Sequence, residues 1–199
     1  VVHGANSLLS ANKDGLIVIE TSTLPIEAKT EARDTLGKGG TILLDCPISG
    51  TGAQAVNRDL VVYGSGDEDA FNTCSPVFEG IARSNYYVGE FGNGSRMKYV
   101  ANLLVHIHNV ASAEALVLGM KAGLNPEMIY NVIKDGAGNS RIFELRGPMM
   151  VADNYDEATM KMDVWQKDIG VITEFAAAMD CPTPLFSTST DFYRAAMSQ

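Results

Sequence analysis

The spacing of apolar and polar residues along the first half of the chain predicts short buried strands that alternate with helices. Residues 15–23 form a continuous β-branched run, GLIVIETST, which is typical of a strand covered on both faces. Pro25 opens a helical pattern that glycines end before residue 41. Further strands are predicted at 41–49, 60–66 and 85–91, with one short helix before the last. This order predicts a βαβ unit and a parallel sheet.

The pattern changes near residue 92, after which the sequence predicts helices and no strand. One long helix is predicted from Ser95 to a cap at Gly123, and two later helices open at prolines. Another is marked by apolar residues at helical spacing: Trp165, Ile169, Ile172, Ala176 and Met179. The sequence therefore predicts an α/β domain at 1–93 and an all-helical domain at 94–199, which the long helix enters.

The long helix carries polar side chains among apolar ones, in the stretch GNGSRMKYVANLLVHIHN. A surface helix separates its polar and apolar faces more cleanly. Because Lys98 and Asn102 are four residues apart, they share one helical face. The pattern alone leaves two alternatives open for the lysine: it reaches solvent, which is the commoner case, or it faces a functional cleft. His106 and His108 are interpreted as packed or surface residues.

Composition and charge exclude several classes of protein. The 199 residues include 15 basic and 24 acidic side chains, and the net charge of −9 argues against nucleic-acid binding. Cys46, Cys74 and Cys181 are widely spaced, so they predict neither a metal site nor a disulfide framework, and they fit a reducing cytoplasm. The most apolar stretch, residues 99–118, carries asparagines, histidines and Glu114, which are too costly in a membrane. The N-terminus has no signal-peptide pattern.

Three glycine-containing stretches imitate a nucleotide-binding loop, and each is interpreted as a turn. In GNGSRM, Met97 stands where the third glycine belongs, and in GSGDED the acidic residues would repel a phosphate. SGTGAQA is predicted to continue into polar residues and a further strand, with no helix to supply a dipole. A lone G-x-G is weak evidence, so we predict that this chain has no dinucleotide fingerprint.

Three motifs, DCPISGTGAQA, GNGSRMKYVAN and WQKDIGV, together resemble the β-hydroxyacid dehydrogenase family over essentially the whole chain. This family includes 3-hydroxyisobutyrate dehydrogenase, tartronate semialdehyde reductase, L-threonate dehydrogenase and, more distantly, 6-phosphogluconate dehydrogenase. The resemblance implies the C-terminal part of a Rossmann-like parallel-sheet domain, followed by an all-helical domain. It also implies that roughly the first ninety residues of the family, with their G-x-G-x-x-G, are absent. We therefore expect the 199-residue chain alone to be inactive and to bind NAD(P) very weakly.

The resemblance also implies roles for individual residues. Ser49 and Gly50 match the family's substrate motif D-x-P-V-S-G-G, so their hydroxyl and backbone N–H groups are expected to hold the substrate carboxylate. Thr51 replaces the second glycine of this motif, which alters the pocket expected there. Lys98 and Asn102 match G-x-G-x-x-x-K-x-x-x-N, which implies a lysine general acid or base and an asparagine that positions the reacting oxygen.

Two further residues are implied to contact the NAD or NADP cofactor. Thr23 matches the threonine after the family's fifth strand, which contacts the nicotinamide ribose. Lys167 in WQKDIGV is expected to reach the nicotinamide end of the cofactor or the substrate. With Asp168 it is predicted to lie off the apolar stripe of its helix. A strand-end threonine and an exposed helix lysine need no such role, so the structural alternative stays open for both.

The resemblance implies an NAD(P)-dependent oxidoreductase that interconverts a small 3-hydroxyacid and its semialdehyde or keto acid. The expected partners are a small carboxylate substrate and further copies of the chain, as a homodimer or homotetramer through the helical domain. The protein is expected in the cytoplasm, without nucleic-acid or membrane partners. Two alternatives use the same scaffold: imine reductase-like activity, and a non-catalytic dimerisation or interaction module. Lys98 argues against both, because the resemblance implies another residue at that position in each case.

Overall fold

The computed structural model describes residues 2–4, 7–11, 13–155 and 160–198, and it divides into two compact units. The first unit is Val1–Ala101 and the second is Asn102–Gln199. The dividing point falls within one continuous helix, so this helix contributes its first turns to one unit and its remaining turns to the other.

Short strands and helices alternate through the first unit, as the apolar pattern predicts. In chain order they are β1 (Ile17–Glu20), α1 (Ile26–Gly37), β2 (Ile42–Asp45), β3 (Ile48–Ser49), α2 (Gly52–Val56), β4 (Val61–Gly64), α3 (Glu68–Thr73), α4 (Ser75–Ile81) and β5 (Ser84–Tyr87). A single turn of 3-10 helix, Leu9–Ala11, precedes them, and the long helix α5 (Asn93–Lys121) follows. The α/β class predicted for this part of the chain is confirmed.

The strands of the first unit form two groups. β1 and β2 pair in parallel, with Ile17 opposite Ile42 and Glu20 opposite Asp45. In the second group β4 pairs in parallel with β5 and antiparallel with β3. One bridge pair, Asp45 with Ser65, joins the two groups. The predicted βαβ unit is therefore confirmed in β1–α1–β2, whereas the antiparallel strand β3 departs from the parallel sheet expected.

Three local predictions for this unit are wrong, each for an identifiable reason. The strand predicted at 41–49 is two strands, because Pro47 has no N–H to continue the ladder. The helix predicted before β5 is two helices that meet at Cys74, because Pro76 is tolerated only in the first turn of a new helix. SGTGAQA does contain a helix, α2, with Thr51 at its N-cap.

The core of the first unit lies between the central strands and helices α3 and α4. Leu44, Val62, Phe71 and Phe78 are buried there, and the two phenylalanine rings stack with their centroids 5.0 Å apart. Gly64 allows this packing, because a side chain at that position would overlap the ring of Phe71. β1 differs from its prediction, because its four residues are half-buried rather than covered on both faces. β1 pairs only with β2, whereas β2 is also bridged to the second group of strands.

Helices make up the second unit. After α5 come α6 (Pro126–Lys134), α7 (Arg141–Val151), α8 (Met162–Ala178) and α9 (Pro184–Ala196), and the described part of this unit has no strand, as predicted. The side chains of Asn125 and Ser140 cap α6 and α7 by accepting the N–H groups of Met128 and Phe143. The predicted apolar stripe of α8 is buried at Trp165, Ile169, Ile172 and Ala176. Met179 is exposed, because it lies beyond the end of the helix.

Helix α5 buries polar residues and exposes apolar ones. Its buried polar residues are Ser95, Lys98, Asn102, His106 and Ser112. Its exposed apolar residues include Val100, Leu104, Val117 and Leu118, which are 48–71% exposed. In the described part of the chain α5 alone has the length and apolar composition of a membrane span, and only 17% of its most apolar window is buried. Since Lys98 is 8% exposed, the alternative in which this lysine reaches solvent is wrong.

Candidate active site

A buried ionic network lies at the carboxyl ends of β1 and β2. Lys29 of α1 places its Nζ 2.7 Å from Asp45 Oδ1 and 2.6 Å from Glu20 Oε2, and it donates to the Ser22 backbone oxygen at 2.6 Å. The side chains of Lys29 and Asp45 are 1% and 0% exposed. A buried charge is tolerated only when it is paired and hydrogen-bonded, and the Lys29 ammonium is paired with two carboxylates and donates hydrogen bonds to Asp45 and to the Ser22 oxygen. The network therefore ties the ends of two parallel strands together.

Asp45 connects this network to the first turn of α5. Its Oδ2 accepts the Ser95 backbone N–H at 2.8 Å, and its Oδ1 accepts the Ser95 hydroxyl at 2.9 Å. The Gly94 N–H donates to the Ser65 hydroxyl at 2.9 Å, and that hydroxyl donates to the Asp45 backbone oxygen at 3.1 Å. A carboxylate thus stands where the helix dipole favours an anion. Protein oxygens already accept these N–H groups. Of GNGSRM only Gly92 lies in the predicted turn, because residues 93–97 already belong to α5.

Glycine is required where α5 meets the strand ends. A side chain at Gly94 would overlap the backbone oxygens of Tyr63 and Asp45. Gly92, just before the helix, has a φ of +95°, a conformation that residues with a Cβ rarely adopt. The two glycines of the GNGSRMKYVAN motif are therefore explained by close packing and backbone geometry in this chain.

The predicted substrate residues Ser49, Gly50 and Thr51 lie at the end of β3 and the start of α2. Gly50 has a φ of +130°, and a Cβ there would lie 2.5 Å from the side chain of Leu60. The Gln54 side chain accepts the Thr51 N–H at 3.1 Å, so α2 itself uses that donor. The Ser49 hydroxyl and the Gly50 N–H are therefore the better candidates for a carboxylate. Their contact with a substrate stays a prediction.

Thr23 lies half-buried in the loop between β1 and α1. The Tyr99 hydroxyl donates to the Leu24 backbone oxygen, so α5 is tied to this loop one residue beyond Lys98. Lys29 holds the same loop from its other side through the oxygen of Ser22. Loops at the carboxyl ends of parallel strands are where open α/β sheets bind their ligands, so the position of Thr23 fits a contact with a nucleotide cofactor.

Lys98 and Asn102 follow each other at one helical turn on α5, and Asn102 is 3% exposed. Within the second unit, the Asn102 Nδ2 donates to Asp168 Oδ2 at 2.8 Å. The Lys167 Nζ lies 3.1 Å from Asp168 Oδ1, and the Lys167 side chain is 47% exposed. The structure therefore brings together two predicted site residues, Asn102 and Lys167, through a carboxylate that the sequence reasoning left without a role.

The prediction that Asp168 lies off the apolar stripe of its helix is wrong. Asp168 is 7% exposed and stands beside the buried Ile169. A buried carboxylate needs a donor and a compensating charge: the Asn102 amide donates to Asp168, and the Lys167 ammonium forms an ion pair with it. Lys167 itself is exposed at the helix surface, as predicted.

His106 is the centre of an aromatic cluster in the second unit. The Trp165 Nε1 donates to His106 Nδ1 at 2.9 Å, and His106 Nε2 lies 3.3 Å from the Thr190 hydroxyl, which donates to the Phe186 backbone oxygen. The ring also stacks on Tyr193 at 4.1 Å between centroids. Because an indole N–H only donates, the imidazole proton lies on Nε2. Burial lowers the pKa of His106 from 6.5 to about 4, so the interpretation of a packed histidine is confirmed.

Sequence reasoning missed three residues that organise these sites: Lys29, Asp45 and Asp168. One signal was available for Asp45, an acidic residue that ends the otherwise apolar run TILLD. Lys29 gives none, because α1 is polar along most of its length and a lysine on such a helix is normally at the surface.

Two family models match successive parts of the chain. Residues 92–199 match the model described as NAD-binding of NADP-dependent 3-hydroxyisobutyrate dehydrogenase. Residues 1–89 match the model described as the NAD binding domain of 6-phosphogluconate dehydrogenase. The two matches together cover nearly the whole chain, and they meet just before α5 begins.

Known proteins resemble this chain in sequence and in structure. An L-threonate dehydrogenase of Haemophilus influenzae is 34% identical over 194 residues, which are 97% of this chain and 64% of that protein. The chain thus spans slightly less than two thirds of that relative. A 3-hydroxyisobutyrate dehydrogenase of Salmonella typhimurium has a TM-score of 0.87 and 31% identity, over 97% of this chain and 68% of that one. The Mycobacterium tuberculosis 3-hydroxyisobutyrate dehydrogenase with L-serine has a TM-score of 0.83 and 25% identity, over 96% of this chain and 68% of that one.

Proposed function

Because the chain belongs to the β-hydroxyacid dehydrogenase family, we propose that the protein is an NAD(P)-dependent oxidoreductase acting on a small 3-hydroxyacid. It interconverts the hydroxyacid and its semialdehyde or keto acid. The observation that carries this proposal is the buried Lys98, one helical turn from an asparagine whose amide is fixed by Asp168. A lysine held away from water and beside an oriented hydrogen-bonding group suits a proton transfer.

The proposed role of Lys98 is to move one proton at the reacting oxygen. In the oxidation direction its neutral amine accepts the proton of the substrate hydroxyl, and in reduction its ammonium donates a proton to the carbonyl oxygen. Asn102 donates one amide hydrogen to Asp168, and this bond fixes the direction in which the second amide hydrogen and the amide oxygen point. We assign Asn102 the positioning of the reacting oxygen or of the substrate carboxylate.

The cofactor we propose is NAD or NADP, which supplies or accepts a hydride when bound. Thr23 fits a contact with its ribose, because the β1–α1 loop lies at the carboxyl end of a parallel pair and is held on both sides. Lys167 is the second candidate, since its ammonium lies at the surface while Asp168 holds its charge in place. We assign residues 1–93 to a Rossmann-like cofactor domain and residues 94–199 to a helical domain that serves substrate binding and dimerisation.

The proposed substrate is a small carboxylate. Ser49 and Gly50 offer a hydroxyl and a backbone N–H in a loop that a left-handed glycine and a capped helix hold in place. We expect about three to five carbons, with or without an extra hydroxyl, because Thr51 is larger than the glycine of the family motif. The relatives are named dehydrogenases, and this chain keeps Lys98, so neither imine reduction nor a non-catalytic module is favoured.

We also propose that the protein is a cytoplasmic homo-oligomer that binds neither membranes nor nucleic acids. Exposed apolar residues of α5 and α9, among them Val117 and Phe192, line a groove of 460 Å³. A contiguous apolar surface of this kind is typical of a subunit contact. α5 also buries Asn102 and His106, which are poor neighbours for lipid. Analytical ultracentrifugation of the full-length gene product tests this proposal, and a monomer at micromolar concentration would contradict it.

The test of the proposed function is a substrate panel with the full-length gene product and both cofactors. We expect kcat/KM to be highest for one of 3-hydroxyisobutyrate, glycerate and L-threonate. Simple alcohols should be rejected strongly, because the donors expected to hold the carboxylate would be left without a partner. Preference for an alcohol, or for 6-phosphogluconate, would overturn the proposal.

A further inference from the structure

We propose that Lys29 and Asp45 form a positioning hub for the reaction. The hub is the buried set Lys29, Asp45, Ser65 and Ser95, together with Glu20. It holds the loop after β1, the loop after β2 and the first turn of α5 in one fixed arrangement. Its catalytic part rests on the proposed function, whereas the mechanical part concerns the first unit alone.

The hub joins three chain segments that are far apart in sequence. Lys29 reaches the end of β1 through Glu20 and Ser22, and it reaches the end of β2 through Asp45. Asp45 then receives two hydrogen bonds from Ser95 in α5, fifty residues further along the chain. Both Asp45 oxygens are used, so its carboxylate is fixed by donors from α1 and from α5.

Each of the three segments carries a predicted site residue close to its contact with the hub. Thr23 follows Ser22, whose oxygen Lys29 holds. Ser49 comes four residues after Asp45, and Lys98 comes three residues after Ser95. The hub therefore fixes the three segments that are expected to contact the cofactor, bind the substrate and supply the proton.

Stability alone is a weak reason for this arrangement. Replacing a buried ion pair with well-packed apolar residues is often neutral or stabilising, because the charges lose their hydration. Apolar side chains in place of Lys29 and Asp45 would fill the space but would leave the Ser95 N–H and hydroxyl without acceptors. Directional hydrogen bonds fix distances that apolar packing leaves adjustable, and a misplacement of about 1 Å at a reacting group costs on the order of 10²-fold in rate.

The experiment uses the full-length gene product and four variants: Lys29→Met, Asp45→Asn, the double variant, and Lys38→Met. Lys38 is the exposed residue that caps the end of the same helix, so Lys38→Met is the matched control. An asparagine at 45 keeps the shape of the side chain but offers one acceptor oxygen where the carboxylate offers two. The double variant removes the Lys29–Asp45 pair together, so neither of these two fully buried charges is left without the other; Glu20, whose side chain is 22% exposed, keeps the Ser22 N–H as a donor.

The first measurement is hydrogen exchange, which needs no activity. In both single variants the amides of residues 21–24 and 94–98 should exchange at least about tenfold faster, while those of β4 stay within about twofold of wild type. Equal acceleration throughout the first unit would show a merely structural pair and would overturn the hub. Lys38→Met should leave all of these rates unchanged.

The second measurement separates turnover from folding. We expect kcat about 10- to 100-fold lower in all three hub variants. The melting temperature should recover in the double variant while kcat does not, because Ser95 still lacks its second acceptor. A double variant that regains wild-type kcat overturns the catalytic part of the inference. If wild type turns over no acid of the panel, the proposed function fails, and hydrogen exchange alone decides whether the hub exists.

Discussion

The Asn102 amide donates from Nδ2 to Asp168 Oδ2 at 2.8 Å, and both side chains are buried. A carboxylate only accepts, so this contact determines which end of the Asn102 amide faces Asp168. Asp168 thereby controls the orientation of a group that the resemblance places at the reacting oxygen.

Asp168→Ala should therefore impair the full-length gene product in two ways. Loss of the acceptor frees the Asn102 amide to rotate, and we expect kcat/KM to fall about 10- to 100-fold. The unpaired amide should also lower the free energy of unfolding by about 1–3 kcal/mol. Steady-state kinetics and urea titration measure the two effects. Glu174→Ala, at an exposed position of the same helix, is the control, and equal kinetics in both variants would rule out an orienting role.

Lys98→Met should lower kcat by roughly 10²- to 10⁴-fold, which is the usual contribution of a positioned acid or base. Methionine keeps the length of the side chain at a position that is 8% exposed, so folding should be little affected. Cofactor affinity, measured by fluorescence titration, should stay near wild type. Lys121→Met at the end of the same helix is the matched control. A variant that retains most of its turnover would make Lys98 a packing residue.

His106 should make the second unit sensitive to acid. Its pKa is about 4 in the fold against an ordinary 6.5, so folding favours the neutral ring. This contribution to stability is complete above pH 6.5 and is lost as the pH falls towards 4, at up to about 1.4 kcal/mol per pH unit. Protonation would also place a hydrogen on His106 Nδ1, which would then repel the Trp165 N–H that it accepts in the neutral state.

The measurement is the free energy of unfolding between pH 4 and 7 for wild type, His106→Gln and His108→Gln. Other acidic groups also titrate in this window, so the difference between variants carries the information. His106→Gln should show a shallower dependence on pH, whereas His108→Gln should keep the wild-type slope. Parallel curves for all three proteins would contradict this account of His106.

Two glycines should respond to alanine in opposite directions. Gly170→Ala should raise the free energy of unfolding by about 0.5–1 kcal/mol, because Gly170 lies inside α8 with open space where a Cβ would stand. Gly94→Ala should lower it by at least about 2 kcal/mol, because the new Cβ would overlap backbone oxygens that cannot move aside. Urea unfolding curves of the two variants test both signs, and a neutral Gly94→Ala would show that α5 can shift outward.

The elements that the sequence predicted well are those whose signals are local. The helix that opens at Pro126, and the helical spacing from Trp165 to Ala176, depend on residues within a turn or two of each other. The break at Pro47 is equally local but was missed, because the apolar run on both sides of it gave the stronger signal.

The site is less predictable, because its contacts join distant parts of the chain. Lys29 looks like a surface lysine until Asp45, sixteen residues away, is folded beside it. The carboxylate of Asp168 meets Asn102 across sixty-six residues, and no spacing rule connects the two. The motif that holds Lys98 and Asn102 was accessible only through resemblance, since a lone lysine in an apolar helix is normally a solvent-facing residue.

The carboxylate at the start of α5 has a consequence for how the protein responds to salt. Many helix N-termini attract their anion from the surrounding solution, and such binding weakens as ionic strength rises. Asp45 is fully buried and covalently part of the chain, so dissolved ions can neither screen it well nor compete for its place. The hydrogen bonds between Asp45 and the first turn of α5 should therefore be the same in dilute buffer and in concentrated salt, even though this protein carries a net charge of −9.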